Sequence, residues 1–219
     1  MCYGWFSSFV FNVIWMTPVL SIQGSATPLN CLPEGKLIVL TGPSGVGKGT
    51  LVRALLQRHP ELYFSISVTT RTPRPGEIHG KQYYFVSRSE FQQMIKQDKL
   101  LEWAEFAGNY YGTPRDAVLE QISKGKCVLL EIELEGARQI CQSYPEAKRI
   151  FIMPPSLAEL EQRLRGRDQD SPEAIARRLQ RAKDEISAAH EFDVQIVNDD
   201  FDTALDAIAS TVFSFCGIA

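Results

Sequence analysis

The chain has 219 residues, 44% hydrophobic and 22% charged, which supports a substantial buried core and excludes collagen, coiled coil and wholesale disorder. Lys and Arg number 23 against 26 Asp and Glu, a net charge of -3, so no global positive field exists to hold nucleic acid or an anionic membrane. Neither is an expected partner, and any binding of a polyanion must be local.

The charge is unevenly laid out, since Met1 to Pro33 carries none and the first charged residue is Glu34. This leader holds Tyr3, Trp5, Phe6, Phe9, Phe11 and Trp15, is broken by Ser7, Ser8 and Asn12, and closes at Thr17-Pro18. Its apolar part falls short of the roughly 20 residues that a spanning helix needs. Small residues at Gly24-Ser25-Ala26 suit a cleavage site, but the basic residues of an export signal or transit peptide are missing. The readings that remain are a translation start placed upstream of the native one, near Pro33, or a dispensable disordered extension. Residues 1–33 are thus set apart from one domain over 34–219. Cys2, Cys31, Cys127, Cys141 and Cys216 form no C-x-x-C pair, and Cys127 sits in an apolar run as a small core hydrophobe. A zinc site or disulfide framework is not expected, and the scatter fits a reducing compartment.

From Lys36 the pattern predicts an alternating α/β fold. Lys36 to Thr41 is a short branched apolar run, followed by a glycine loop and a helical stretch from Thr50 to His59 with leucines at 51, 55 and 56. Between Phe64 and Tyr111 the segments become short, aromatic and turn-punctuated, interrupted by Pro73, Pro75, Gly76, Gly80 and Gly108, which predicts a small mostly β insertion. Thr113-Pro114 reads as a helix cap with a first-turn proline. Cys127 to Ile132 and Arg149 to Ile152 are buried strands, each leading into a helix, so the sheet is parallel. Ser156 to Glu159 forms a capping box and Ser171-Pro172 a second cap. Beyond Pro172, Ile175, Leu179, Ala182, Ile186 and Ala189 share one helix face, then Val194 to Val197 forms a last strand and Phe201 to Phe215 a closing helix. The core is expected over about 36–63, 115–155 and 192–219, with the β lobe at 64–114 and a helical lid at 156–191.

Gly42-Pro43-Ser44-Gly45-Val46-Gly47-Lys48-Gly49-Thr50 lies between the first strand and helix, the context of a Walker A loop. Glycines let several N–H groups face a phosphate, the helix N-terminus adds positive potential, and Lys48 reaches the outer phosphates of ATP. Gly49 stands where Ser or Thr usually ligates magnesium. Mg2+ is then held mainly by nucleotide oxygens and water, with Thr50 near the phosphates, and no dedicated protein metal site is expected. A second anion site is suggested by Arg71 and Arg74, three residues apart in a proline-stiffened segment with Ser67 nearby. Tyr83, Glu102, Tyr110, Tyr111 and Thr113 share that lobe. A carboxylate with neighbouring hydroxyls matches the N1–H and N2–H donors and O6 acceptor of guanine, and faces adenine's N1 acceptor unfavourably. His59, His79 and His190 fit no catalytic pattern.

Gly42 to Thr50, Ser67 to Gly76 with its T-T-R-x-P-R-x-G-E run, Gly108-Asn-Tyr-Tyr-Gly112, Arg163-Leu-Arg-Gly-Arg167 and Ile196-Val-Asn-Asp-Asp200 resemble guanylate kinases, from about Lys36 to the last helix. The resemblance implies that GMP's phosphate is held by Arg71, Arg74, Tyr83 and Tyr111 and its guanine read by Ser67, Glu102, Thr113 and Glu133. It implies that Arg163, Arg167 and Arg178 act with Lys48 on the transferred phosphoryl group, while Arg165, Arg181 and Lys183 are left at the surface. Members usually carry aspartates where this chain has Glu131 and Glu133, which opens the question of what Glu133 contacts. The implied activity is ATP-dependent phosphorylation of GMP in the cytoplasm, where both nucleotides occur. A non-catalytic interaction domain of the same fold is the competing reading, disfavoured by the intact loop and arginines.

Overall fold

The structure is a computed structural model that describes residues 35–166 and 171–217. The leader and Arg167 lie outside the described residues.

Five strands form one parallel sheet in the order β2-β7-β1-β8-β9, where β1 is Lys36–Thr41, β2 Tyr63–Phe64, β7 Cys127–Glu131, β8 Lys148–Met153 and β9 Val194–Val197. The central strands β1 and β7 are buried on both faces because helices cover both, which is why they read as continuous apolar runs. Strand alternation divides them cleanly. Ile38, Leu40, Leu129, Ile150 and Ile152 pack on one side against α1 (Lys48–Arg58) and α7 (Phe201–Cys216). Leu37, Val39, Val128, Leu130 and Phe151 pack on the other against α3 (Arg115–Ser123) and α4 (Leu134–Ser143).

The aromatic stretch forms a second sheet, β4-β3-β6-β5, from β3 (Val68–Thr69), β4 (Tyr84–Phe85), β5 (Leu100–Phe106) and β6 (Asn109–Pro114). It also contains a helix the sequence reading missed, α2 (Arg88–Lys96), started by a complete capping box between Ser87 and Glu90. Phe91 anchors it, fully buried among Val68 and Leu100. The lid is a helix pair, α5 (Leu157–Arg165) and α6 (Pro172–Ser187), joined by Leu160, Leu164, Ile175 and Ala182. Ser156 and Ser171 cap them as expected, accepting from the N–H groups of Glu159 and Ala174. Glu159 does not close the box. Its carboxylate pairs with Arg163 at 3.2 Å.

Two expectations are corrected. Cys127 and Cys216 form a disulfide with Cα atoms 6.2 Å apart. No local spacing announces it, because the bond joins the first residue of β7 to the last of α7, packed on the same sheet face. Thr113 does not cap α3 either: Pro114 holds the cap position without a side-chain bond, and the Thr113 hydroxyl is used elsewhere.

Candidate active site

The phosphate loop follows β1, whose last residues pair with the carboxyl ends of β7 and β8. That edge is where open α/β sheets bind ligands. Gly42, Gly45 and Gly47 take φ values of 153°, 94° and 102°, a region that side chains resist, and this curls the backbone into the helix start. Asn198, at the end of β9, braces the turn: its Nδ2 donates to the Val46 carbonyl at 2.8 Å, and its own carbonyl accepts from Arg163 Nη1 at 3.1 Å. Lys48 is 9% exposed and its Nζ donates to the Gly42 carbonyl at 2.5 Å. A side chain at Gly49 would enter the space before the Glu131 carboxylate, whose Oε1 lies 3.6 Å from where a Cβ would sit. Burial raises the Glu131 pKa, opposed by the nearby Lys48 and Arg53 charges.

Beside the loop opens a cleft of about 510 Å³. It brings together Ser67, Arg71, Arg74, Tyr83, Glu102, Tyr111 and Glu133 from the predicted base and phosphate set, with Ser44 from the loop and Arg178 from α6. These come from segments more than a hundred residues apart in the chain, collected by the small sheet, β7 and the lid. Arg71 is fixed by Glu77, which accepts from its Nη2 at 2.8 Å and, through the second oxygen, from the Arg74 N–H at 2.7 Å. This bond raises the Arg71 pKa and lowers that of Glu77, so the arginine arrives charged and aimed. Tyr83 lies edge-on to Tyr111 at 6.0 Å, and its burial pushes the phenol upward, leaving it a hydroxyl donor.

Glu102 is the most unusual group in the cleft. It is 4% exposed, accepts from the Thr113 hydroxyl at 2.6 Å, and burial pushes its pKa up to about 7. Thr113 thus reaches the site through Glu102, which explains its lost cap. A Cβ at Gly136 in α4 would overlap the Glu102 carboxylate, so this glycine is what lets the carboxylate lie against the helix.

Sequence reasoning missed Gly136 and Glu77 as site builders and assigned Glu131 no task. It placed Arg181 at the surface, where the side chain is indeed exposed, but gave it no contacts. In the structure Arg181 touches Glu133, Glu185 and Phe106. The signal for Glu77 was present in the arginine-proline run, whereas Gly136 and Arg181 acquire their neighbours only by folding. Arg163 lies beside the loop rather than in the cleft, and Arg165 pairs with Glu161 at the surface as expected.

A glycine loop between a parallel strand and a helix, with a buried lysine at the helix start and an arginine-, tyrosine- and carboxylate-lined cleft beside it, defines a P-loop nucleotide kinase. The family described as guanylate kinase matches residues 34–214. Over 198 residues the chain is 69% identical to a guanylate kinase of Nostoc sp., covering 90% of this chain and 100% of that one. It is 65% identical over 190 residues to one from Thermosynechococcus vestitus, covering 87% and 97%. The crystal structure of guanylate kinase from Anaplasma phagocytophilum superposes with a TM-score of 0.70 at 36% identity, covering 83% of this chain and 86% of that one. The chain belongs to the guanylate kinase family and is an enzyme of that family, a nucleotide-binding transferase.

Proposed function

We propose that the chain transfers the γ-phosphoryl group of ATP to GMP, and to dGMP, by direct in-line displacement, serving purine nucleotide metabolism in the cytoplasm. A GMP phosphate oxygen forms the new P–O bond as the β–γ bridging bond of ATP breaks and ADP departs, with no covalent enzyme intermediate. The observation that carries the guanine assignment is the buried Glu102–Thr113 pair at 2.6 Å, facing a cleft that also holds Ser67 and Glu133. Ionised, Glu102 accepts from guanine N1–H and N2–H, and hydroxyl groups serve O6.

Residues Gly42 to Thr50 would wrap the ATP phosphates, and Lys48 would neutralise charge developing between β and γ oxygens. Arg71, Arg74, Tyr83 and Tyr111 would fix the GMP phosphate opposite the loop, converting a two-body encounter into an oriented one. Arg163, beside the phosphate loop, and Arg178, in the cleft lining, would act on the transferred group, and Arg167 is assigned with them on the residue match alone. The described residues contain no cluster of three or more His, Cys, Asp or Glu able to cage a metal. Mg2+ keeps waters and takes one or two protein oxygens beside nucleotide phosphates. Thr50 and Glu131 are the residues that would hold it, where it supplies charge neutralisation on the ATP phosphates. Lid closure would exclude water that otherwise hydrolyses ATP.

Turnover measured with GMP, dGMP, AMP and CMP tests this reading. GMP and dGMP are expected to be the substrates, and a preference for AMP would remove the guanine assignment. A protein lacking phosphoryl transfer altogether would favour the interaction-domain reading.

A further inference from the structure

Arg181 lies on α6, off the apolar face, and side-chain periodicity alone puts it in solvent. In the folded chain it contacts its own helix and two other segments. Its Nε donates to Glu185 Oε1 at 2.8 Å, its Nη2 lies 4.0 Å from Glu133 Oε2, and its guanidinium sits 4.3 Å from the centre of the Phe106 ring. Phe106 ends β5 and lines the cleft, and Glu133 caps the start of α4 on the opposite wall. Glu185 is 4% exposed and its second carboxylate oxygen has no partner among the described residues. Arg181 therefore stands between two carboxylates, the buried one of Glu185 and that of Glu133 in the cleft lining, which would otherwise repel each other. A planar guanidinium can serve both and stack on an aromatic face at once, which an ammonium cannot.

We propose that Arg181 is a positioning residue for base recognition: it fixes the direction of the Glu133 carboxylate and ties the lid helix to the lobe strand that ends at Phe106. The inference rests on the reading of Glu133 as a guanine contact. Glutamate has one more rotatable bond than the aspartate usual at this position, so its carboxylate needs an outside restraint to present a defined acceptor. Arg181 supplies that restraint without touching the transferred group.

Steady-state kinetics on Arg181→Met, Arg181→Lys, Glu133→Gln and the Arg181→Met/Glu133→Gln double variant test it, with KM for GMP and for ATP read separately. Arg181→Met is expected to raise KM for GMP about fivefold, the upper size of a partly exposed ion pair, and to leave KM for ATP unchanged. Arg181→Lys keeps the charge without the fork and falls between wild type and Arg181→Met. The double variant is expected to be no worse for GMP than Glu133→Gln, since the two residues act as one unit. A normal GMP KM in Arg181→Met beside a raised one in Glu133→Gln would overturn the role of Arg181, as would effects that multiply. A normal GMP KM in Glu133→Gln would instead overturn the reading of Glu133 and this inference with it. If Arg181→Met proves unstable, Arg181→Lys decides alone, and a wild-type KM for GMP in that variant overturns the proposal.

Discussion

The phosphate loop and the neighbouring cleft are built on opposite plans. The loop is nine consecutive residues that offer mostly backbone N–H groups to a ligand, shaped by glycines at positive φ and braced by a hydrogen bond from Asn198. The cleft is made of side chains from the small lobe, the β7–α4 turn and α6, and several have a side-chain partner: Glu77 for Arg71, Thr113 for Glu102, and Arg181 near Glu133. A backbone site tolerates change around it because its donors cannot be substituted away. A side-chain site gains discrimination but fails when a supporting neighbour moves.

Substitutions separate the two plans. Lys48→Met is expected to cut turnover on the order of 10³-fold with the fold retained, since it removes a charge that acts on the transferred group. Circular dichroism and a coupled assay check both halves. Arg71→Met is expected to lower kcat/KM for GMP by roughly 10²-fold while KM for ATP holds, because the proposed bidentate phosphate contact is lost and Glu77 loses its ion pair. Gly136→Ala places a methyl where the Glu102 carboxylate lies, and a fall of about tenfold in kcat/KM for GMP alone is expected, with ATP binding by calorimetry unaffected.

The Glu102 carboxyl adds a pH signature. Its folded pKa of about 7 lies above the ordinary carboxylate value, so protonation below that pH removes the acceptor that guanine needs. The rate profile of kcat/KM for GMP should fall on the acid side of about 7 and flatten above it, and Glu102→Gln should abolish this limb together with most GMP affinity. The sign for stability is opposite. A raised carboxyl pKa means the native state binds the proton more tightly than the unfolded chain, so this group's contribution is present at low pH and lost as pH rises from about 4.5 through about 7. Glu102→Gln is accordingly expected to melt higher than wild type at pH 8. The smallest effect belongs to the leader: a chain beginning near Pro33 is expected to keep full activity, measured as kcat/KM for both nucleotides.

Much of the frame was legible in the residues. Lys36 to Thr41 and Cys127 to Glu131 announce strands because central parallel strands are buried on both faces and leave an almost unbroken apolar run, and Val194 to Val197 does so by its branched residues at the sheet edge. The phosphate loop was legible for the same reason that it is robust, being contiguous and demanding glycine by steric necessity. The aromatic lobe was recognised as β-rich, yet α2 was hidden, because its capping box lies in a segment whose aromatics suggested strand throughout.

What the linear chain by itself determined is the set of elements, the loop, and the residue types that suit guanine and phosphate. Those features depend on neighbours within a few positions, where geometry follows from spacing. Tertiary structure alone decided that Cys216 meets Cys127, that Thr113 serves Glu102 rather than a helix end, that Gly136 makes room for a buried carboxylate, and that the exposed Arg181 lies beside Glu133 and Phe106. Each depends on which helix packs over which strand end, a consequence of burying the whole core at once and therefore invisible to any local pattern.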